Sequence, residues 1–79
     1  MNYRERIVRD QRIVRGQPVF KGTRVTLKTV LASLAEGAST AEILADFPTL
    51  SEEDVRAAIA FAATSAQEDL PLAELPINR

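Results

Sequence analysis

The chain has 79 residues, a formal net charge of −1, no cysteine and no histidine. A domain this short buries only about 60–65% of its unfolded surface, so helix packing or oligomerisation must help a small core. The missing residue types exclude a disulfide framework, thiolate nucleophiles and the usual zinc ligands.

No apolar run approaches the roughly 20 residues that span a bilayer, and the charged start MNYRERIVRD lacks a signal-peptide core. A cytoplasmic protein without membrane contact is expected. Residues 1–6 carry little pattern and are expected to be loosely held. The pairs Ile7-Val8 and Ile13-Val14 sit in a near-repeat, RIVR-DQ-RIVR. They read as short strands or extended segments with a turn at Asp10-Gln11. Val19-Phe20, Lys21-Gly22 and Thr23-Arg24-Val25 read as a tight hairpin, with Gly22 supplying positive φ. Pro18 lacks an amide proton, which places that hairpin at an edge or a strand start.

Three helices follow. The first is predicted from about Leu27 to Glu36, with Thr26 as N-cap and Leu27, Val30, Leu31 and Leu34 on one stripe. Gly37 is its left-handed terminator. The second spans about Thr40 to Phe47, where Ser39 and Glu42 form a capping box and Pro48 stops the chain. The third starts after Ser51, which pairs with Asp54, while Leu50 and Val55 have hydrophobic-staple spacing. Val55, Ala58, Ile59, Ala62 and Ala66 are expected on its inner face, with Phe61 to the side. The helical pattern ends at Glu68-Asp69. Residues 1–69 are therefore expected to form one β-hairpin plus trihelical domain, and 70–79 a C-terminal extension. The fold class is mainly α with short N-terminal strands, and the second and third helices have the order of a helix-turn-helix.

Charge is distributed unevenly. Residues 1–28 hold eight Lys/Arg against two acids; residues 29–79 hold two Arg against nine acids. One half thus favours anions, or else the two halves attract each other within the fold or across a dimer. The residue types offer no catalytic constellation, so an enzyme is not expected, nor a cofactor. If DNA is bound, the third helix is a poor reader, because its first turn carries Glu52, Glu53 and Asp54 and would repel phosphates. Arg12, Arg15, Lys21, Arg24 and Lys28, with Arg56 on the third helix, are the candidate DNA contacts; a solvated face or ion pairs to the acidic helices is the competing account. A ribbon of two strands can enter the major groove, and a homodimer doubles its phosphate contacts. In the extension, Leu70, Leu72, Leu75, Ile77 and Arg79 are candidate partner contacts, against simple packing or disorder.

The series GQPVFKGTRVTLKTVLASLAEGAST, AEILADFP and TLSEEDVRAAIAFAA resembles the small prokaryotic DUF433 proteins, whose pattern is a GxPVxxGTR turn, a helix ending in Gly, a short EIL-D-P helix and an L-ED-AAL-YAA helix. The likeness runs from about Ile7 to Ala63. Gln17 stands where Lys is common, and Phe61 where Tyr is common. The resemblance implies a homeodomain-like three-helix fold behind N-terminal strands, a dimer, and a VapB-type antitoxin partnered with a PIN-like toxin, a metal-dependent ribonuclease. Gly22, Thr23, Arg24 and the third helix are the matched positions. The expected function is an antitoxin that binds operator DNA through its basic N-terminal region and its toxin through the extension. A stand-alone transcriptional regulator and a protein-interaction domain without DNA binding are the alternatives.

Overall fold

The computed structural model describes residues 2–69. Two short strands, β1 (Ile7–Val8) and β2 (Val19–Phe20), pair antiparallel with Ile7 opposite Phe20 and Val8 opposite Val19. Three helices follow: α1 (Leu27–Ala35), α2 (Thr40–Asp46) and α3 (Glu52–Asp69). The protein is thus mainly helical with a two-stranded antiparallel sheet at its N-terminal end. No helix among the described residues is long and apolar enough to cross a membrane.

Helix ends follow local chemistry. Thr26 Oγ1 accepts the Thr29 amide at 3.1 Å and starts α1. At its end, Ala38 N–H bonds to Ser33 O and Gly37 N–H to Leu34 O, both at 3.0 Å. This pair of bonds is a Schellman motif, and it requires the φ of +95° that Gly37 adopts. Ser39 and Glu42 close a reciprocal capping box on α2. Ser51 and Asp54 do the same for α3, with Asp54 Oδ2 accepting the Ser51 amide at 2.9 Å and Ser51 Oγ accepting the Asp54 amide at 3.2 Å.

The core joins all layers. Phe20 of β2 is fully buried among Leu27, Val30, Ile43, Leu50, Val55 and Ala58, and Ile7, Leu31, Leu34, Phe47 and Phe61 pack around them. Leu50 and Val55, spaced as a staple, both lie in this cluster.

Four expectations are corrected. The tight return after Phe20 forms, but its second arm makes only a bridge, Val19 to Thr26, before running into α1. The strand that pairs with Val19-Phe20 comes instead from Ile7-Val8, because the sheet gains more by placing Ile7 over the core than by extending a lone hairpin. Ile13-Val14 is not a strand; Ile13 is extended as expected, but Val14 is not. The turn expected at Asp10 forms, with Ile13 N–H bonded to Asp10 O at 2.8 Å. Val14, Arg15 and Gly16 then take φ of 45°, 55° and 77°, a left-handed turn closed by Gly16 N–H to Ile13 O and Gln17 N–H to Val14 O. Left-handed backbone costs a non-glycine residue roughly 1–2 kcal/mol; this turn reverses the chain from β1 to β2 and buries Gly16.

On α3, Val55, Ala57 and Ala58 are buried, whereas Ile59 is 50% exposed. One residue advances roughly 100° around a helix, so Ile59 lies that far beyond Ala58, off the inward face. Phe61 instead turns inward. The reason is the fourth correction: residues 2–6 are not loose. Tyr3–Glu5 form a single 3-10 turn capped by Asn2, and the Tyr3 ring meets the Phe61 ring edge-on at 5.4 Å and 87°.

Candidate nucleic-acid interface

The N-terminal cations are not all equivalent. Arg6 ends the first turn and enters β1; Lys21 N–H bonds to Arg6 O at 2.8 Å and extends the ladder by one step. That register aims the Arg6 fork at the start of α3. Its Nη2 contacts Glu53 Oε2 at 2.6 Å and its Nη1 contacts Asp54 Oδ1 at 3.1 Å. Asp54 therefore caps α3 with one oxygen and binds Arg6 with the other. The Asp54 hydrogen bond, reinforced by Glu53, raises the Arg6 pKa above its ordinary value. Two of the three acids at the tip of α3 are thus neutralised from within the fold.

Arg12 is 88% exposed at its side chain, yet it folds back on Asp10. Its Nε and Nη2 donate to the two Asp10 oxygens at 3.1 and 3.0 Å, and its amide donates to Oδ1 at 2.9 Å. The side-chain bond, then the backbone bond, holds the Asp10 carboxyl below its usual range. Of the candidate DNA contacts, Arg12 is thus paired locally. Arg15, Lys21, Arg24, Lys28 and Arg56 are exposed and form no salt bridge among the described residues. Arg15 projects from the left-handed turn, Lys28 from the first turn of α1 and Arg56 from α3.

Three further cations of the basic segment from Arg4 to Lys28 were not among the named DNA contacts. Arg6 clasps α3. Arg4 lies over the Tyr3 ring, 5.7 Å from its centroid. Arg9 Nη1 reaches Gly16 O at 3.5 Å. The charge asymmetry between the halves was the available signal for Arg6; nothing local marked it.

Two surface clefts flank this region. A polar one of about 310 Å³ is lined by Glu5, Arg6, Lys21 and Asp54. An apolar one of about 620 Å³ is lined by Ile13, Gly22, Thr23, Arg24, Val25 and Thr49. The Gly-Thr-Arg turn shapes the second. Gly22 takes φ +81°. Thr23 N–H and Thr23 Oγ1 both donate to Phe20 O, at 2.9 and 2.8 Å, and Oγ1 accepts the Val25 amide at 3.1 Å. Arg24 is left facing solvent. Leu70, Leu72, Leu75, Ile77 and Arg79 lie outside the described residues.

The fold and its front together define a class: a three-helix domain faced by a two-stranded sheet, whose Gly-Thr-Arg turn abuts the link between the second and third helices. The model of the family described as "Protein of unknown function (DUF433)" matches residues 7–62, and the chain belongs to that family. No curated protein matches it. It is similar to the crystal structure of a DUF433 member protein from Anabaena variabilis ATCC 29413, with 29% identity and a TM-score of 0.68. The likeness covers 78% of this chain and 61% of that one, so the chain spans less than two thirds of the solved relative.

Proposed function

We propose that this protein is a VapB-like antitoxin that binds operator DNA as a homodimer and neutralises a PIN-like ribonuclease. The observation that carries the DNA half is the separation of its cations. Arg6 is committed to the acidic tip of α3, while Arg15, Lys21, Arg24 and Lys28 stay exposed without carboxylate partners among the described residues. In this reading α1 to α3 form a homeodomain-like scaffold, and the N-terminal turns, not α3, meet the phosphates. Among the described residues β1 has a strand on one side only, so its free edge is the natural place for a second copy to pair. The toxin half rests on the sequence: the aliphatics of 70–77 supply burial, at about 25 cal/mol per Å² before ordering costs.

Gel shifts with the chain's own promoter at two salt concentrations test the first half. Each phosphate contact contributes about 0.9 to the slope of log affinity against log salt. Replacing Arg15, Lys21, Arg24 and Lys28 by Gln is expected to lower that slope by about 3–4 per copy while the helical signal is retained. Unchanged slope, or no specific binding of the natural chain at about 50 mM salt, removes DNA from the account. A chain ending at Asp69 tests the second half: it is expected to lose inhibition of the nuclease encoded beside it, and full inhibition would reject the extension as the toxin contact.

A further inference from the structure

In the Gly-Thr-Arg turn two residues have evident structural work. Gly22 provides the left-handed backbone, and Thr23 ties Phe20 to Val25. Arg24 has none: its side chain makes no hydrogen bond or ion pair among the described residues. It stands on the rim of the apolar cleft, where three separate loops meet through Ile13, Val25 and Thr49. Among the described residues the lining holds one cation and no carboxylate. A phosphodiester would satisfy Arg24 but leave the apolar floor uncovered. The complementary ligand offers aliphatic side chains with a single carboxylate between them.

The chain contains such a stretch in Leu70–Ile77, with Leu72 and Leu75 about Glu74 and no cation. Its root is the far end of α3 from Thr49. With 18 residues, that helix is roughly 27 Å long at 1.5 Å per residue. Leu72 lies three residues past Asp69, a reach of about 10 Å fully extended. A segment running back along its own helix leaves Leu72 short of the cleft by about 17 Å, more than its side chain spans. We propose that, off DNA and when no toxin holds it, the 70–77 segment of a second copy occupies the cleft, with Glu74 paired to Arg24 and Leu72 and Leu75 against Ile13 and Val25. The exchange would link two copies independently of any strand pairing, and it rests on neither DNA nor nuclease binding.

Because the chain has no cysteine, a single nitroxide can be placed at Ala73→Cys. Nitrogen-15-labelled full-length chain is mixed with unlabelled full-length chain carrying that nitroxide, and amide broadening is read. Broadening is expected at Gly22–Val25 and Thr49 of the isotope-labelled copy. Glu74→Gln in the nitroxide copy, a change outside the described residues, is expected to weaken the association roughly two- to fivefold, as for a rim ion pair. Arg24→Glu in one copy with Glu74→Arg in the other is expected to restore it. No broadening at these amides, broadening indifferent to Glu74→Gln, or broadening seen only when nitroxide and isotope share one chain would each overturn the exchange.

Discussion

Replacing Thr23 by Val tests whether the hydroxyl, rather than the shape of the residue, builds the turn. The two side chains are nearly isosteric, so packing changes little. What is lost is the Thr23 Oγ1 bond to Phe20 O at 2.8 Å and the acceptor of the Val25 amide at 3.1 Å. Phe20 O keeps the Thr23 amide at 2.9 Å; the Val25 amide keeps no partner in that loop. At about 0.5–1.5 kcal/mol per bond, Thr23→Val is expected to cost about 1–3 kcal/mol. A 79-residue chain has about 4–12 kcal/mol in all. Each kcal/mol lowers Tm by about 4–8 °C at this size, so a fall of roughly 5–20 °C is expected in thermal unfolding followed by circular dichroism. Thr23→Ser keeps both bonds and is expected to stay within about 0.5 kcal/mol of the natural chain. If Ser is as damaging as Val, the methyl group matters and the hydrogen-bond argument fails. If Val costs nothing, water replaces the hydroxyl and the turn does not need it.

Phe20→Ala removes the largest fully buried side chain and is expected to cost about 3–5 kcal/mol, enough to unfold much of the population at 37 °C; a cooperative transition near the natural Tm would contradict the placement of the core. Arg6→Gln is expected to lower Tm at low salt, with the difference shrinking in 1 M NaCl, where screening acts within about 3 Å. A salt-independent difference would assign Arg6 to packing of its aliphatic stem. Glu42 is held below its ordinary value chiefly by the Ser39 amide, and Asp10 by Arg12. Both carboxyls are depressed, so their contributions are complete above the unfolded values, near 4.5 and 3.8, and are lost as pH falls through the lower folded ones. Urea titrations across that window are expected to show a flatter acid limb for Glu42→Gln, whose amide still accepts the Ser39 N–H but does not titrate.

The candidate interface was readable in part. The basic residues and the Gly-Thr-Arg turn are visible as letters, and turn chemistry is local, so Gly22 could be placed before any fold was known, whereas the Thr23 hydroxyl bonds were not read. Which cations are spent was not readable. Arg6 and Arg12 stand in equivalent places of the near-repeat, yet one reaches across 47 and 48 positions to Glu53 and Asp54 while the other closes on Asp10 two residues away.

The amino-acid sequence alone determined the three helices and their ends. Thr26, Ser39 with Glu42, Ser51 with Asp54, and Gly37 satisfy backbone groups within a few residues of themselves, and such bonds need no distant partner. Tertiary structure decided what long-range packing controls. Ile7-Val8 became the strand partner of Val19-Phe20 because Ile7 then packs against the core. In Ile13-Val14, with the same letters, Ile13 stayed extended while Val14 entered a left-handed turn because the chain had to reverse there. Tyr3 packs edge-on against Phe61 on the inward side of α3, while Ile59, about 100° beyond Ala58, stays in solvent. Identical local patterns met different surroundings, and burial against distant residues chose between them.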